Sequence, residues 1–379
     1  MATYAEVTTR KITSVNPATG AVLRELECAN DADVSAAVER ARSAQPAWAG
    51  LGLRRRVDVL RRFQVALHAK KSGIAAAITR EGGKPLAEAL VTEVLVVLDA
   101  ARFLNDNAFR LLRDEPLPHG NVATKLKTGR LLREAYGVVG IISPWNYPFS
   151  IPATETIAAL VAGNAVVLKP SELTPLVALE LASLLHGAGV PRDVFQVVIG
   201  EGTAGAALIR SAIDKLVFTG SVATGKRIAA AAAERLLPVV LELGGKDPMI
   251  VLDDADVDVA SSAAVWGAFV NAGQACLSVE RCYVHRSVYE NFVAACVEKT
   301  RKLRVGHEDH AIVVPRRERQ QQARNYLDDL SLPFCDAARV GGQRFDAFPF
   351  EISAGIIGVG RALAVGKRRH SAGDQHLHH

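Results

Sequence analysis

Glu242 and Cys276 are the residues of this 379-residue chain whose types and settings could make and break a covalent bond. Glu242 stands in Leu241-Glu-Leu-Gly-Gly-Lys246, a carboxylate beside a Gly-Gly turn, and Cys276 closes Asn271-Ala-Gly-Gln-Ala-Cys276, a lone thiol among small residues. A thiol attacks a carbonyl carbon as its thiolate, and a nearby carboxylate can activate the water that releases the resulting thioester. Each residue also has a plainer reading, Cys276 as a small buried apolar group and Glu242 as a surface carboxylate. No histidine is spaced to propose a Cys–His pair. His307, His310, His376, His378 and His379 lie in an atypical tail, where a tag-like end is a plainer reading than a metal site.

Upstream lie signals for a phosphate-bearing ligand. Gly200-Glu-Gly-Thr-Ala-Gly205 fits GxGxxG between a strand and a helix, but the acidic residue expected about twenty positions on is missing, so turn glycines remain an equal reading. Gly220-Ser-Val-Ala-Thr-Gly-Lys226 looks like a phosphate loop, yet Arg227 stands where Ser or Thr should ligate Mg²⁺, which argues against an NTPase. A strand running through Gly220-Ser221 into an alanine-rich helix still aims backbone N–H groups at an anion, with a bare cap role for Ser221 as the alternative. Lys169-Pro-Ser-Glu172 follows a strand end; Lys169 can donate to ribose hydroxyls, and Glu172 can accept from a 2′-OH and would repel a 2′-phosphate. Pro144-Trp-Asn-Tyr-Pro148 ends another strand, and Asn146 is either a turn residue or an oxyanion donor.

Several elements must position these residues. Thr13 to Leu23 reads as strand, turn and strand, and Asp31 to Trp48 as a helix behind an Asn-Asp cap. Arg54 to Ala77 is an amphipathic helix whose arginines, Arg54, Arg55, Arg56, Arg61 and Arg62, form a solvated face. A third helix spans Leu86 to Leu112, and Val122 to Val139 predicts a hairpin around Thr128-Gly129. Val138 to Ser143 is a strand buried on both faces. Strands at 165–168, 194–199, 215–219, 238–243 and 248–252 then alternate with helices at 175–186, 204–213, 222–236 and 256–270. That alternation predicts an α/β fold with a doubly wound, Rossmann-like parallel sheet.

The composition is 49% apolar and 22% charged with a net charge of +5, that of a globular protein of about two domains, too weakly basic to argue for nucleic acid. Five scattered cysteines without CxxC read as reduced thiols, and no apolar run approaches about 20 residues, so no membrane partner is expected and the cytoplasm is the default location.

Taken together, NPATG at 16–20, PWNYP at 144–148, KPSE at 169–172, FTGS at 218–221, ELGGK at 242–246 and the segment ending at Cys276 resemble the NAD(P)-dependent aldehyde dehydrogenase superfamily from about Thr13 to Gly306. The resemblance implies Cys276 as nucleophile, Asn146 with the Cys276 backbone N–H holding the oxyanion, and Glu242 as general base for hydrolysis. It further implies a cofactor, NAD rather than NADP on the strength of Glu172, with Trp145, Lys169, Ser171, Glu172, Gly202, Thr219, Gly220, Ser221 and Leu243 around it and no metal. The Gly200–Gly205 loop then packs near the adenine rather than cradling phosphates. The implied organisation is an NAD-binding domain over 1–243 with an oligomerisation hairpin at about 122–136, the start of an α/β catalytic domain over 244–306, and an atypical segment over 307–379. Family members form homo-oligomers and act on small-molecule aldehydes. They also continue past Gly306 with a Glu-x-Phe-Gly-Pro stretch that is absent here, and His307 stands where an aspartate is usual. A catalytic domain cut short, with unpaired strands, is therefore expected, and a catalytically silent nucleotide-binding protein is the alternative reading.

Overall fold

The computed structural model describes residues 10–304, apart from positions 119, 122 and 124–126, and the backbone of three strands beyond them. The described residues fall into two compact units, one within Met1–Leu243 and one within Gly244–Gly306 and His310–His379.

The first unit opens with antiparallel strands β1 (Lys11–Val15) and β2 (Val22–Glu27), turned at Asn16, whose Oδ1 accepts from the Ala18 and Thr19 N–H groups. Helix α1 (Asp31–Gly50) starts at a capping box in which Asn30 and Asp33 bond each other's backbone N–H. Helix α2 (Gly52–Gly82) stops at Gly83, whose φ of 76° a side chain would resist. Next come α3 (Leu86–Ala89), a π-turn (Leu90–Val94) and α4 (Leu95–Leu111). The arginine face of α2 is not wholly solvated: Arg56 is buried and donates to the Val161 and Ala49 carbonyls, and Arg62 donates to Ala188 O. These helix-end carbonyls lack intrahelical partners, which is what a buried guanidinium can satisfy.

The hairpin differs from the expectation. Strand β4 (Gly129–Leu131) pairs with β3 (Glu115–Leu117), so Gly129 faces Leu117 instead of closing a turn. Pro118, Gly120 and Asn121 supply the turn chemistry further upstream, Asn121 Oδ1 accepting from Ala123 N. Val122 and Thr124 to Leu126, part of the expected hairpin, lie outside the described residues.

A five-stranded parallel sheet follows, built from β5 (Val138–Ile142), α5 (Ser150–Val161), β6 (Ala165–Lys169), α6 (Pro175–Gly187), β7 (Phe195–Val197), α7 (Gly202–Arg210), β8 (Lys215–Gly220), α8 (Val222–Ala233) and β9 (Val239–Leu243). Its order is β7-β6-β5-β8-β9. All residues of β5 and β6 are buried, as a strand covered by helices on both faces requires. Chain order reverses between β5 and β8, and that switch point opens a crevice at the strands' carboxyl ends, the usual ligand position in such sheets. Helix α5 is absent from the sequence reading: Pro152, Thr154 and Thr156 disguise it, although proline in a helix's first turn removes no helical bond.

In the second unit, β10 (Asp247–Val251) and β11 (Val279–His285) are parallel and joined through α9 (Val257–Phe269) and a short 3₁₀ turn, Val270–Gly273; α10 (Tyr289–Arg301) follows. The backbone strands β12 (Ala337–Val340), β13 (Gln343–Pro349) and β14 (Leu363–Val365) complete a sheet ordered β12-β13-β11-β10-β14. In this sheet β13 lies antiparallel to β11, and β14 parallel to β10. Met249, Val284, Phe292 and Cys296 lie in this unit's own core.

Candidate active site

At the carboxyl edge of the first sheet, the strands hand over to loops that carry most of the predicted site residues. Lys169, last in β6 and 5% exposed, reaches Glu172 Oε2 at 3.3 Å, so a donor and an acceptor sit side by side at the edge. Ser171 Oγ accepts from Leu173 N and shapes the turn. Helix α6 has no side-chain cap of its own; Glu81, from the end of α2, accepts from Leu176 and Val177 N–H at 2.9 and 2.8 Å and from Ser14 Oγ at 2.6 Å. A carboxylate there satisfies orphan N–H groups and the positive end of the helix dipole. Gly202 begins α7, and Ser221 caps α8, accepting from Thr224 N at 3.1 Å, so its structural role is realised. Leu243, last in β9, packs so closely on α8 that a Cβ on Gly225 would come within 2.6 Å of it. A helix N-terminus, a Lys–Glu pair and small residues along one strand edge form a donor set that fits a dinucleotide, the helix start for its phosphates and the pair for a ribose.

The loop after β5 carries Trp145 and Asn146, both partly buried. Its far end is held from a distance. Helix α5 also lacks a local cap, and Glu93 of the π-turn accepts from the Phe149 and Ser150 N–H groups at 2.8 and 3.1 Å. The other oxygen of Glu93 takes Lys84 Nζ at 2.6 Å, with Lys84 and Glu93 only 1% and 0% exposed. The Lys84 ammonium also sits 3.8 Å from the centre of the Tyr147 ring, inside the loop. Burial pulls the Lys84 ammonium down from the usual lysine range, while the Glu93 charge opposes it.

Glu242 is exposed on β9 and registers with Thr219 on β8. Register partners in a parallel sheet share a face, and Thr219 Oγ1 donates to Glu155 Oε1 of α5 at 3.1 Å. Burial pushes the Glu155 carboxyl up to about 7; the Glu242 charge adds to this, and the Thr219 bond opposes it. A carboxyl whose pKa rises on folding keeps its proton longer than in the unfolded chain. Its contribution is then full below the unfolded value and is lost as pH rises through about 7. Stability should fall by up to ~3 kcal/mol from about pH 4.5 to above 7, and Glu155→Gln should flatten that slope. Urea denaturation at a series of pH values reads both.

In the second unit, Cys276 is exposed and follows a left-handed turn: Asn271, Ala272 and Gly273 have φ of 53°, 54° and 71°. For residues with a Cβ this region costs roughly 1–2 kcal/mol each. The surrounding bonds over-determine it, since Asn271 Nδ2 donates to Gln274 O while Gln274 Nε2 donates to Asn271 O. Two residues beyond Cys276, Ser278 Oγ donates to Gly267 O. In the same unit, Lys246 and Glu280 form an ion pair. Glu242, Asn146 and the proposed cofactor residues thus belong to the first unit, and Cys276 to the second. Glu81, Lys84, Glu93 and Glu155 are absent from the sequence-derived set.

The sequence profile described as the Aldehyde dehydrogenase family matches residues 4–328. The chain belongs to the aldehyde dehydrogenase family. The match runs past both ends of the 13–306 range visible from the motifs. A 4,4′-diapolycopene aldehyde oxidase of Methylomonas sp is 39% identical over 302 residues, covering 80% of this chain and 57% of that protein. The chain therefore spans little more than half the length of this curated relative. Among solved structures, an NADP-dependent enzyme of E. coli superposes with a TM-score of 0.79 at 32% identity, over 89% of this chain and 72% of the other. An NAD-dependent benzaldehyde dehydrogenase from Corynebacterium glutamicum gives 0.78 at 30%, over 89% and 75%. Among the described residues, no helix of this aldehyde dehydrogenase family member is long and apolar enough to cross a membrane.

Proposed function

We propose that this chain oxidises an aldehyde to a carboxylic acid through a thioester on Cys276. The observation that carries the reading is an exposed thiol, presented by an over-determined left-handed turn, in a chain of this family. Cys276 attacks the carbonyl carbon as thiolate, and the π pair moves onto oxygen. The Asn146 side-chain amide and the Cys276 backbone N–H donate to that oxyanion. Bound NAD, or NADP, supplies the acceptor for the hydride that leaves the same carbon. Glu242 then takes a proton from water as the water oxygen attacks the thioester, and the C–S bond breaks to free the acid and restore the thiolate.

In this reading the first unit holds the dinucleotide and the second presents the nucleophile. Trp145, Lys169, Ser171, Glu172, Gly202, Thr219, Gly220, Ser221 and Leu243 surround the cofactor, and Glu172 favours NAD by accepting from a ribose 2′-OH. Among the described residues no disulfide is formed, and Cys276 is an exposed thiol. Assembly into homo-oligomers belongs to the same reading.

Glu242→Gln should retain acylation and slow deacylation by about 10²- to 10⁴-fold, so that acyl-enzyme accumulates and is seen by intact mass. An unaltered steady-state rate in this variant would remove Glu242 from the mechanism. The alternative reading is a chain that binds nucleotide without turnover. Single-turnover kinetics with aldehyde and NAD separates the two: NADH formed in proportion to sites marks the enzyme, and none marks the silent protein.

A further inference from the structure

Lys84 and Glu93 form a buried ion pair that the mechanism above leaves unused. Glu93 has a structural duty, the two N–H groups of Phe149 and Ser150 at the start of α5. That duty needs no partner cation. The helix dipole already favours a carboxylate there, and burying an ammonium beside it costs desolvation that an apolar neighbour would avoid. The lysine is accounted for by its second contact, the Tyr147 ring, whose centre lies 3.8 Å from the ammonium. Tyr147 is the chain neighbour of Asn146. We propose that Lys84 is a positioning residue of the aldehyde-oxidising site: anchored on Glu93, its ammonium holds the Tyr147 ring and thereby fixes the direction in which Asn146 presents its side-chain amide. The proposal rests on the reading of Asn146 as an oxyanion donor.

The loop has few other degrees of freedom. It begins at Ser143, whose N–H donates to Lys169 O at 3.1 Å, and it ends where Phe149 and Ser150 donate to Glu93. Pro144 and Pro148 each have a fixed φ, and Tyr147, as the residue before a proline, is restricted toward extended backbone. Trp145 and Asn146 keep ordinary backbone freedom, but the peptide joining Asn146 to Tyr147 is planar. A ring held on the far side of that peptide therefore limits the torsions of Asn146. Lys84 is 1% exposed and its ammonium is clamped at 2.6 Å by Glu93, so the ring rests on a fixed point and not on a mobile side chain. Oxyanion stabilisation depends on such placement, because a donor is effective only when it is already aimed at the position where charge develops.

Lys84 would touch neither aldehyde nor cofactor, so its test reads the loop before it reads the rate. Nitrogen-15 labelling of asparagine follows the Asn146 side-chain amide in the chain without aldehyde or cofactor, with Asn146→Asp identifying the signal. Lys84→Met with Glu93→Gln keeps an acceptor at the start of α5 and removes the cation from the ring. Lys84→Gln removes the cation and leaves Glu93 a donor, which keeps the test alive if the first variant fails to fold. Either should shift and broaden the Asn146 signal, while that of Asn164, bonded to Ala159 O near the other end of α5, stays in place. Lys84→Arg, which can still pair with Glu93 and stack on the ring, should restore the wild-type signal. Combined with Tyr147→Leu, loss of the cation should shift the signal no further, a non-additivity that a merely structural ion pair would not produce. In an active chain, acylation of Cys276 by an activated ester without cofactor should slow about 10- to 100-fold in the cation-free variants and recover in Lys84→Arg. An Asn146 signal that ignores loss of the cation overturns the proposal. A signal that moves in a chain without turnover keeps the positioning role and defeats the dehydrogenase reading.

Discussion

Cys276→Ala should reduce aldehyde oxidation and ester hydrolysis to background, a loss on the order of 10⁶-fold when a covalent nucleophile is removed. No other group in the proposed mechanism can carry the acyl chain, so the effect is on the chemical step and not on binding. Cys276 is exposed, and stability should stay within about 0.5 kcal/mol of wild type when it is truncated. The pairing of lost turnover with an unchanged urea midpoint distinguishes a lost nucleophile from a lost fold. Trapping with an activated ester gives the second measurement: wild type gains one acyl mass and the alanine variant none. Turnover by the variant at even a hundredth of the normal rate would end the nucleophile assignment.

The largest stability effect is expected at Glu93→Ala. That side chain neutralises the buried Lys84 and fills the N-terminus of α5, so its removal strands one ammonium and two backbone N–H groups away from water. Breaking one side of a buried ion pair costs roughly 3–5 kcal/mol, and the lost helix cap adds about 1 kcal/mol. Lys84→Met with Glu93→Gln should recover much of that loss, because the methionine needs no counter-charge and the amide oxygen still accepts from a backbone N–H. Equilibrium denaturation of the single and double variants checks the ordering; a Glu93→Ala chain as stable as wild type would show that the pair carries no structural weight. A secondary effect should follow at Asn146, since the Pro144–Pro148 loop ends where Glu93 grips the helix.

The sequence discloses the parallel βα rhythm and the site loops because both are local signals. Buried strands read as apolar runs, and Asn30, Ser221 and Asp256 lie one residue before the helices they cap. What stays hidden is carried by contacts distant along the chain. Glu81 and Glu93 are two more acidic residues in helical stretches, and nothing beside them signals that they cap α6 and α5 from far upstream. Arg56 sits in an arginine run that looks solvated, and its burial goes with a bond to the Val161 carbonyl, more than a hundred positions away. The hairpin error has a nearer cause: Thr128-Gly129 has turn chemistry, but the strand pairing uses Gly129 as a strand residue. Glu155 is hidden for a further reason, that its helix begins with Pro152 and β-branched residues and reads as a loop.

The π-turn at Leu90–Val94 has its own corollary for how this protein can change over generations. A π-turn carries one residue more than regular helix would need, and that surplus sets where Glu93 points. Loss of a single residue between Gly83 and Val94 would swing everything beyond it by about 100° and carry the carboxylate off the α5 terminus. The exposed side chains of this stretch, Leu86, Ala87 and Val91, are open to exchange, whereas Lys84, Glu93 and the number of residues between them are fixed.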